Sequence, residues 1–130
     1  MLFAKRAVAF VVFLVAAGAA SNTVTVTWTG WFSDEQCASG RVKAGLIEPT
    51  NPECAKSCLQ KGAQPVFISE QAKAMFTVKG YPPVADDLGY HVRIVADLDE
   101  AAHTVSIQKV ERLSEYEGPS CGRPRKTGSH

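Results

Sequence analysis

Hydrophobic and polar residues alternate along several short stretches of the chain, and this pattern predicts a mainly β fold. The first stretch covers residues 23–32. It places Val24, Val26 and Trp28 on one face and threonines on the other. Alternation with a period of two in β-branched and aromatic residues is typical of a half-buried strand. Gly30 interrupts the stretch, so we predict a bulge or a bend there.

Four further stretches predict strands at residues 65–69, 74–78, 90–98 and 103–110. Residues 70–73 are expected to connect the first two of these as a hairpin. Pro82 and Pro83 cannot donate to a strand ladder, so they end that pairing. A single helical turn is predicted from Val84 to Leu88, just before the fourth strand.

One short helix is predicted between the first two strands, from Pro52 to Lys61. Asn51 is a suitable N-cap, Pro52 suits the first helical position, and Gly62 is a natural stop. The preceding stretch from Ser39 to Asn51 is polar and contains glycines and proline, so we interpret it as a loop.

The first twenty residues have the features of a secretory signal peptide. Lys5 and Arg6 precede a wholly apolar run, and small residues follow up to Ala20. The alternative is an uncleaved membrane anchor, but residues 7–20 are fewer than the roughly 20 that span a bilayer comfortably. We therefore expect cleavage near Ala19 or Ala20 and a secreted or periplasmic protein, with membrane contact only through an uncleaved signal.

Charge limits the classes of ligand. The chain has 14 basic and 13 acidic residues, and without the two basic residues of the signal its net charge is −1. A near-neutral protein lacks the basic field on which sequence-independent nucleic-acid binding relies, so the charge disfavours nucleic acid. We predict three segments: a signal peptide at 1–20, one domain at 21–113 and a flexible tail at 114–130.

The order of these elements matches an OB-fold barrel, in which five short strands carry a small helical turn before the fourth. The predicted fold is therefore a mainly β, five-stranded OB-fold-like barrel, with the helix Pro52–Lys61 between its first two strands.

The chain also resembles a family of small exported bacterial OB-fold-like domains whose function is not established. The resemblance covers roughly residues 25–110. It is carried by these matching segments: Gly30-Trp31-Phe32-Ser33-Asp34 with Cys37, Cys54 to Cys58 with Lys61-Gly62-Ala63, Pro65-Val66-Phe67, and Gly89-Tyr90-His91-Val92. This chain lacks the histidine that follows the first cysteine in relatives, and it adds Cys121.

Four cysteines are candidates for disulfide bonds: Cys37, Cys54, Cys58 and Cys121. An even number in an oxidising compartment suggests bridges, with three possible connectivities. Cys54 and Cys58 lie on one helix face, and we favour a bridge from Cys37 to either of them. Such a bridge closes a loop of about 20 residues and stabilises by on the order of 3 kcal/mol. Cys121 could stay free, pair with the remaining cysteine or join two chains into an oligomer.

Two cysteine chemistries are alternatives to a bridge. A metal site would use Cys37, Cys54 and Cys58, with His91, His103 or Cys121 as the fourth ligand. A thiol-redox role would use Cys54, because it lies at the start of the predicted helix near Lys56. Our leading interpretation requires no cofactor.

Known hydrolase and phosphate-binding motifs are absent from the sequence, so we expect a non-enzymatic binding module. We place its ligand, an unidentified protein or saccharide, on the barrel face or under the loop from Ala38 to Asn51. The ligand-face candidates are Trp31, Asp34 and Arg93. Binding of single-stranded nucleic acid or an oligosaccharide on the barrel face is a further alternative. His91 and His103 could face each other across the last two strands, as surface cross-strand neighbours without a catalytic role.

Overall fold

The computed structural model describes residues 22–79 and 84–116, except for the side chain of Ala85. Its strands are β1 (Thr23–Asp34), β2 (Pro65–Ser69), β3 (Ala74–Lys79), β4 (Tyr90–Asp99) and β5 (Thr104–Glu115). Its helices are α1 (Glu35–Lys43), α2 (Pro52–Gln60) and the single turn α3 (Val84–Asp87). The predicted signal peptide, the Pro82–Pro83 pair and Cys121 lie outside the described residues.

The five strands form one mixed sheet that closes on itself in the order β1-β2-β3-β5-β4. Neighbouring strands are antiparallel except for β3 and β5, which are parallel. The ring closes because β1 is long enough to pair with β4 through residues 23–30 and with β2 through residues 30–34. The prediction of a mainly β fold with five strands is confirmed.

Gly30 is the residue at which β1 changes partner. It is opposite Ser69 of β2 and also opposite Val92 of β4. A Cβ atom at this position would lie 1.8 Å from the backbone oxygen of Ile68. Only glycine permits this close approach of two backbones, which explains why the alternating pattern is interrupted here.

The core lies inside the ring, and the predicted alternation identifies most of it. Val92, Ile94 and Ala96 of β4 are fully buried, as is Val105 of β5. Val26 and Trp28 of β1 are partly buried against this core, whereas Val24 is 62 % exposed at the end of the strand. Aromatic rings fill much of the interior, with Phe32 and Phe67 in edge contact at 5.4 Å.

A second apolar cluster lies outside the ring, where α1 covers the outer face of β2. Its buried members are Ala38 of α1 with Val66 and Ile68 of β2. Trp31, Val42, Ile47 and Met75 are packed against them. Strand β2 is therefore buried on both faces, which explains its continuous apolar sequence.

The prediction missed α1, whose second half occupies the start of the predicted loop from Ser39. Asp34 is its N-cap, and Arg41 and Lys43 lie in its last turn. Ser39 and Gly40 in its middle are poor helix formers, and they made this segment resemble a loop. The prediction of a single helix between β1 and β2 was wrong.

Other boundaries differ from the prediction by smaller amounts. Helix α2 ends at Gln60 with Lys61 as its C-cap, and Gly62 follows with a φ of +95°. Strand β5 continues to Glu115, past the predicted end at Val110. In the part of the chain that the structure describes, no helix has the length and apolar character needed to span a membrane.

Candidate functional site

Asp34 connects β1 to α1 and is fully buried, with 0 % exposure. Its backbone is still extended (φ −109°, ψ 157°), as an N-cap requires. Its Oδ2 atom accepts the backbone N–H of Cys37 at 3.1 Å. This bond fixes the first turn of α1, so the side chain of Cys37 starts close to the carboxylate.

The other carboxylate oxygen of Asp34 is unusual. Oδ1 is buried and accepts no hydrogen bond from any described residue. The nearby hydroxyls of Ser33 and Thr50 are hydrogen-bonded to each other. Leaving a buried acceptor without a donor costs about 1–3 kcal/mol, and more for a charged group. Oδ1 is therefore available to a donor or cation from outside the described residues.

Helix α2 brings a second sulfur to this carboxylate. Ala55 is fully buried and packs into the core, which fixes the helix on the ring. Cys58, one turn further along, places its Sγ atom 3.9 Å from Sγ of Cys37. One oxygen of Asp34 and the two Sγ atoms all lie within 4.8 Å of one another. We refer to Asp34, Cys37 and Cys58 as the cysteine cluster.

The cluster holds Cys37 in its neutral thiol form. Burial, the adjacent Asp34 carboxylate and Cys58 together raise the pKa of the Cys37 thiol from 9.0 to about 12. A helix N-terminus usually lowers the pKa of a thiol. Here, desolvation and a neighbouring negative charge outweigh that effect.

The structure does not contain the predicted bridge from Cys37. Cys37 and Cys58 are free thiols, and their 3.9 Å separation is well beyond the S–S bond length of about 2.05 Å. Cys54 is disulfide-bonded. Of the predicted metal ligands that the structure describes, it brings together Cys37 and Cys58, and it adds Asp34, which the sequence did not indicate as a metal ligand.

The two histidines of the last strands do not face each other, so that prediction was wrong. His91 is opposite Ser114 in the β4–β5 pair. Its ring stacks on Trp31 with centroids 5.0 Å apart, and it forms an ion pair with Glu70 when protonated. His103 lies in the turn before β5. Neither histidine belongs to the cysteine cluster.

The three ligand-face candidates lie in different environments. Trp31 is half-buried against the second apolar cluster, beside Ile68. Arg93 is exposed on β4 and donates to Glu111 at 2.9 Å. Asp34 is buried in the cysteine cluster and does not lie on the outer surface. These residues therefore do not form one continuous ligand face.

A groove that the sequence did not reveal lies on the outer face of β2 and β3. Its cavity volume is about 260 Å³. Its lining residues are Glu35, Val66, Met75, Thr77 and His103. They come from the start of α1, from two neighbouring strands and from the turn between β4 and β5. Their sequence separation explains why no motif identified the groove.

His103 forms one wall of the groove and is held firmly despite its exposure. Its φ is +53°, a left-handed conformation that is uncommon for residues other than glycine. Its ring stacks on Phe76 with centroids 5.2 Å apart, and its carbonyl oxygen accepts the N–H of Thr77 at 3.0 Å. The imidazole is thus presented from a fixed turn.

Comparisons with protein-family models, with curated proteins and with solved structures found no match for this chain.

Proposed function

We propose that this chain is a non-enzymatic, exported binding module with an OB-fold-like closed sheet, and that it binds a neutral sugar ring of a saccharide in the groove. The groove itself is the observation that carries the proposal. Export rests on the signal-like residues 1–20, and the resemblance to small exported OB-fold-like domains agrees with it.

The position of the groove supports this assignment. OB-folds bind their ligands on the face of strands 2 and 3, between the connections that join strands 1–2 and strands 4–5. Here the groove lies over β2 and β3. Glu35 comes from the β1–β2 connection, and His103 comes from the β4–β5 turn.

The size of the groove suits a small group. Its volume of about 260 Å³ lies just below the roughly 300–1,000 Å³ typical of sites for drug-sized ligands. A single ring fits this space better than a long polymer segment does. The terminal ring of a saccharide is therefore a suitable occupant.

The lining chemistry suits a neutral ligand with hydroxyl groups. Val66 and Met75 form an apolar surface against which the C–H groups of a sugar can pack. Glu35 accepts hydrogen bonds, whereas Thr77 and His103 can donate and accept them. The carboxylate of Glu35 disfavours phosphate groups, so the groove is poorly suited to nucleic acid.

Nuclear magnetic resonance titration of the exported protein tests the proposal. We would add neutral hexoses and N-acetylhexosamines to the isotope-labelled protein, with a single-stranded oligonucleotide in a parallel series. We expect sugar-dependent shifts at Glu35, Met75, Thr77 and His103, and little change with the oligonucleotide.

Matched variants locate the binding. Thr77→Val removes a hydroxyl from the groove, and Thr27→Val makes the same change at an exposed position of β1 outside it. We expect weaker sugar binding only in T77V. Equal affinity in both variants, or shifts only with the oligonucleotide, would contradict the proposal.

A further inference from the structure

The cysteine cluster has a ligand-binding geometry of its own, separate from the groove. It combines two free thiols with a fully buried carboxylate. The Oδ1 atom of that carboxylate is buried and has no hydrogen-bond donor among the described residues. The proximity of the sulfurs and the unpaired oxygen are independent observations, and both fit the binding of a cation.

The distance between the sulfurs fits a tetrahedral metal site. With zinc–sulfur bonds of about 2.3 Å and tetrahedral angles, two sulfur ligands of one zinc ion lie about 3.8 Å apart. Cys37 Sγ and Cys58 Sγ are 3.9 Å apart. The third donor, a carboxylate oxygen of Asp34, lies within 4.8 Å of both sulfurs. All three donors can therefore reach one ion with small side-chain adjustments.

We propose that Asp34, Cys37 and Cys58 bind one Zn²⁺ ion through one carboxylate oxygen and two thiolates. Both cysteines release their protons on binding, so three negative ligands surround the divalent ion. No fourth His, Cys, Asp or Glu of the described chain joins this group. Water or an external ligand then completes the four-coordinate site.

The fold holds these donors in place before any metal binds. Oδ2 of Asp34 accepts the N–H of Cys37, which fixes the carboxylate, and Oδ1 has no donor among the described residues. Cys58 is positioned by α2, whose N-cap Asn51 and buried Ala55 fix its start and its packing. Zinc would also satisfy the buried oxygen, which otherwise has no partner.

Zinc titration of the full exported chain tests this site. The chain is reduced with a phosphine, freed of metal and handled without oxygen. Zinc is then added while the protein and a chromogenic chelator compete for it. We expect one zinc ion per chain. Cys37→Ser and Cys58→Ser should each weaken binding by more than about 100-fold, and Asp34→Asn by at least about tenfold.

Three control variants separate this site from others. Cys54→Ser and His91→Gln should leave zinc affinity unchanged, because neither residue belongs to the cluster. Glu53→Gln removes an exposed carboxylate from the first turn of α2 and should also have no effect. Circular dichroism of each variant establishes that it is folded. Asp34→Asn keeps the oxygen that caps α1 and removes only the negative charge. It therefore tests whether zinc binding needs that charge, even if a serine variant does not fold.

A reduced, folded wild-type chain that binds no zinc would overturn the proposal. Binding that depends on Cys54 or His91, or that Asp34→Asn leaves unchanged, would overturn it as well. None of these results bears on sugar binding in the groove, so the two proposals can fail separately.

Discussion

Helices α1 and α2 begin with the same local pattern but differ in one functional group. Asp34 precedes Cys37 by three residues, and Asn51 precedes Cys54 by three. In both helices the N-cap side chain accepts the backbone N–H of the cysteine at the third helical position, at 3.1 Å in each case. The same N-cap hydrogen bond therefore fixes the backbone of each cysteine in the first turn of its helix.

The two caps differ in what remains after capping. The Oδ1 atom of Asn51 accepts from both Glu53 and Cys54, and its side chain is only half-buried. Asp34 uses Oδ2 for one N–H and keeps a buried, unpaired Oδ1, and its carboxylate lies beside two thiols. The pattern alone therefore accounts for helix capping. A cation site additionally requires a charged, buried cap and a second sulfur from a neighbouring helix.

The largest expected effect is stabilisation by zinc. At a free zinc concentration 100 times Kd, the free energy of unfolding of the reduced wild-type chain should rise by about 2.7 kcal/mol. Asn51→Asp, which places a second aspartate cap on α2, should show the same rise in the free energy of unfolding. Asp34→Asn should show a much smaller rise at the same zinc concentration. Urea unfolding with and without zinc measures these differences. An equal zinc-dependent rise in the free energy of unfolding of Asp34→Asn would show that the aspartate cap has no role in zinc binding.

The next effect concerns the reactivity of Cys37 in the metal-free, reduced protein. Because burial, Asp34 and Cys58 together raise its pKa from 9.0 to about 12, its alkylation at pH 8 should be at least about tenfold slower than in the unfolded chain. The stability that this neutral thiol contributes is complete below pH 9 and is lost as the pH rises toward 12. Mass spectrometry of peptides alkylated over time gives the rate. Equally fast alkylation in folded and unfolded chains would show that the fold does not protect this thiol.

A smaller effect is expected from removing the purely structural cap. Asn51→Ala leaves the N–H groups of Glu53 and Cys54 without their acceptor. It should lower the free energy of unfolding by about 1 kcal/mol. Asn51→Asp should restore most of that loss, because aspartate caps equally well. Urea denaturation of the metal-free proteins checks both values, and a negligible loss in Asn51→Ala would mean that α2 does not depend on this cap.

The smallest effect is expected for Asp34→Asn in the metal-free protein. The variant keeps an oxygen for the N–H of Cys37 and removes a buried charge that has no partner at Oδ1. Its free energy of unfolding should therefore stay within about 0.5 kcal/mol of wild type, or exceed it. A loss well above 1 kcal/mol would mean that the carboxylate already has a stabilising partner without metal.

Much of the ring could be predicted from the sequence because its signals are local. The period-two spacing of the buried residues Val92, Ile94 and Ala96 identifies the inner face of β4. Pro52 and Gly62 mark the limits of α2 through their backbone preferences. Each of these features depends on a few neighbouring residues.

Helix α1, the cysteine cluster and the groove were not predicted, because they depend on contacts between distant segments of the chain. The capping pattern Asp34-x-x-Cys37 could have revealed α1, but Gly40 and the adjoining strand concealed it. Neither the burial of Asp34 nor the proximity of Cys37 to Cys58 follows from their spacing, because both depend on how α1 and α2 pack against the ring. The same holds for the groove, whose residue His103 lies far along the chain from Glu35.

X-ray absorption spectroscopy at the zinc edge of the reduced, zinc-loaded chain tests the central claim most directly. We predict a shell of two sulfur atoms at about 2.3 Å and a shell of oxygen atoms at about 2.0 Å around one ion. Asp34→Asn should alter the oxygen shell and leave the two sulfurs in place. A shell of three or four sulfurs, or one without sulfur, would contradict an Asp34–Cys37–Cys58 site.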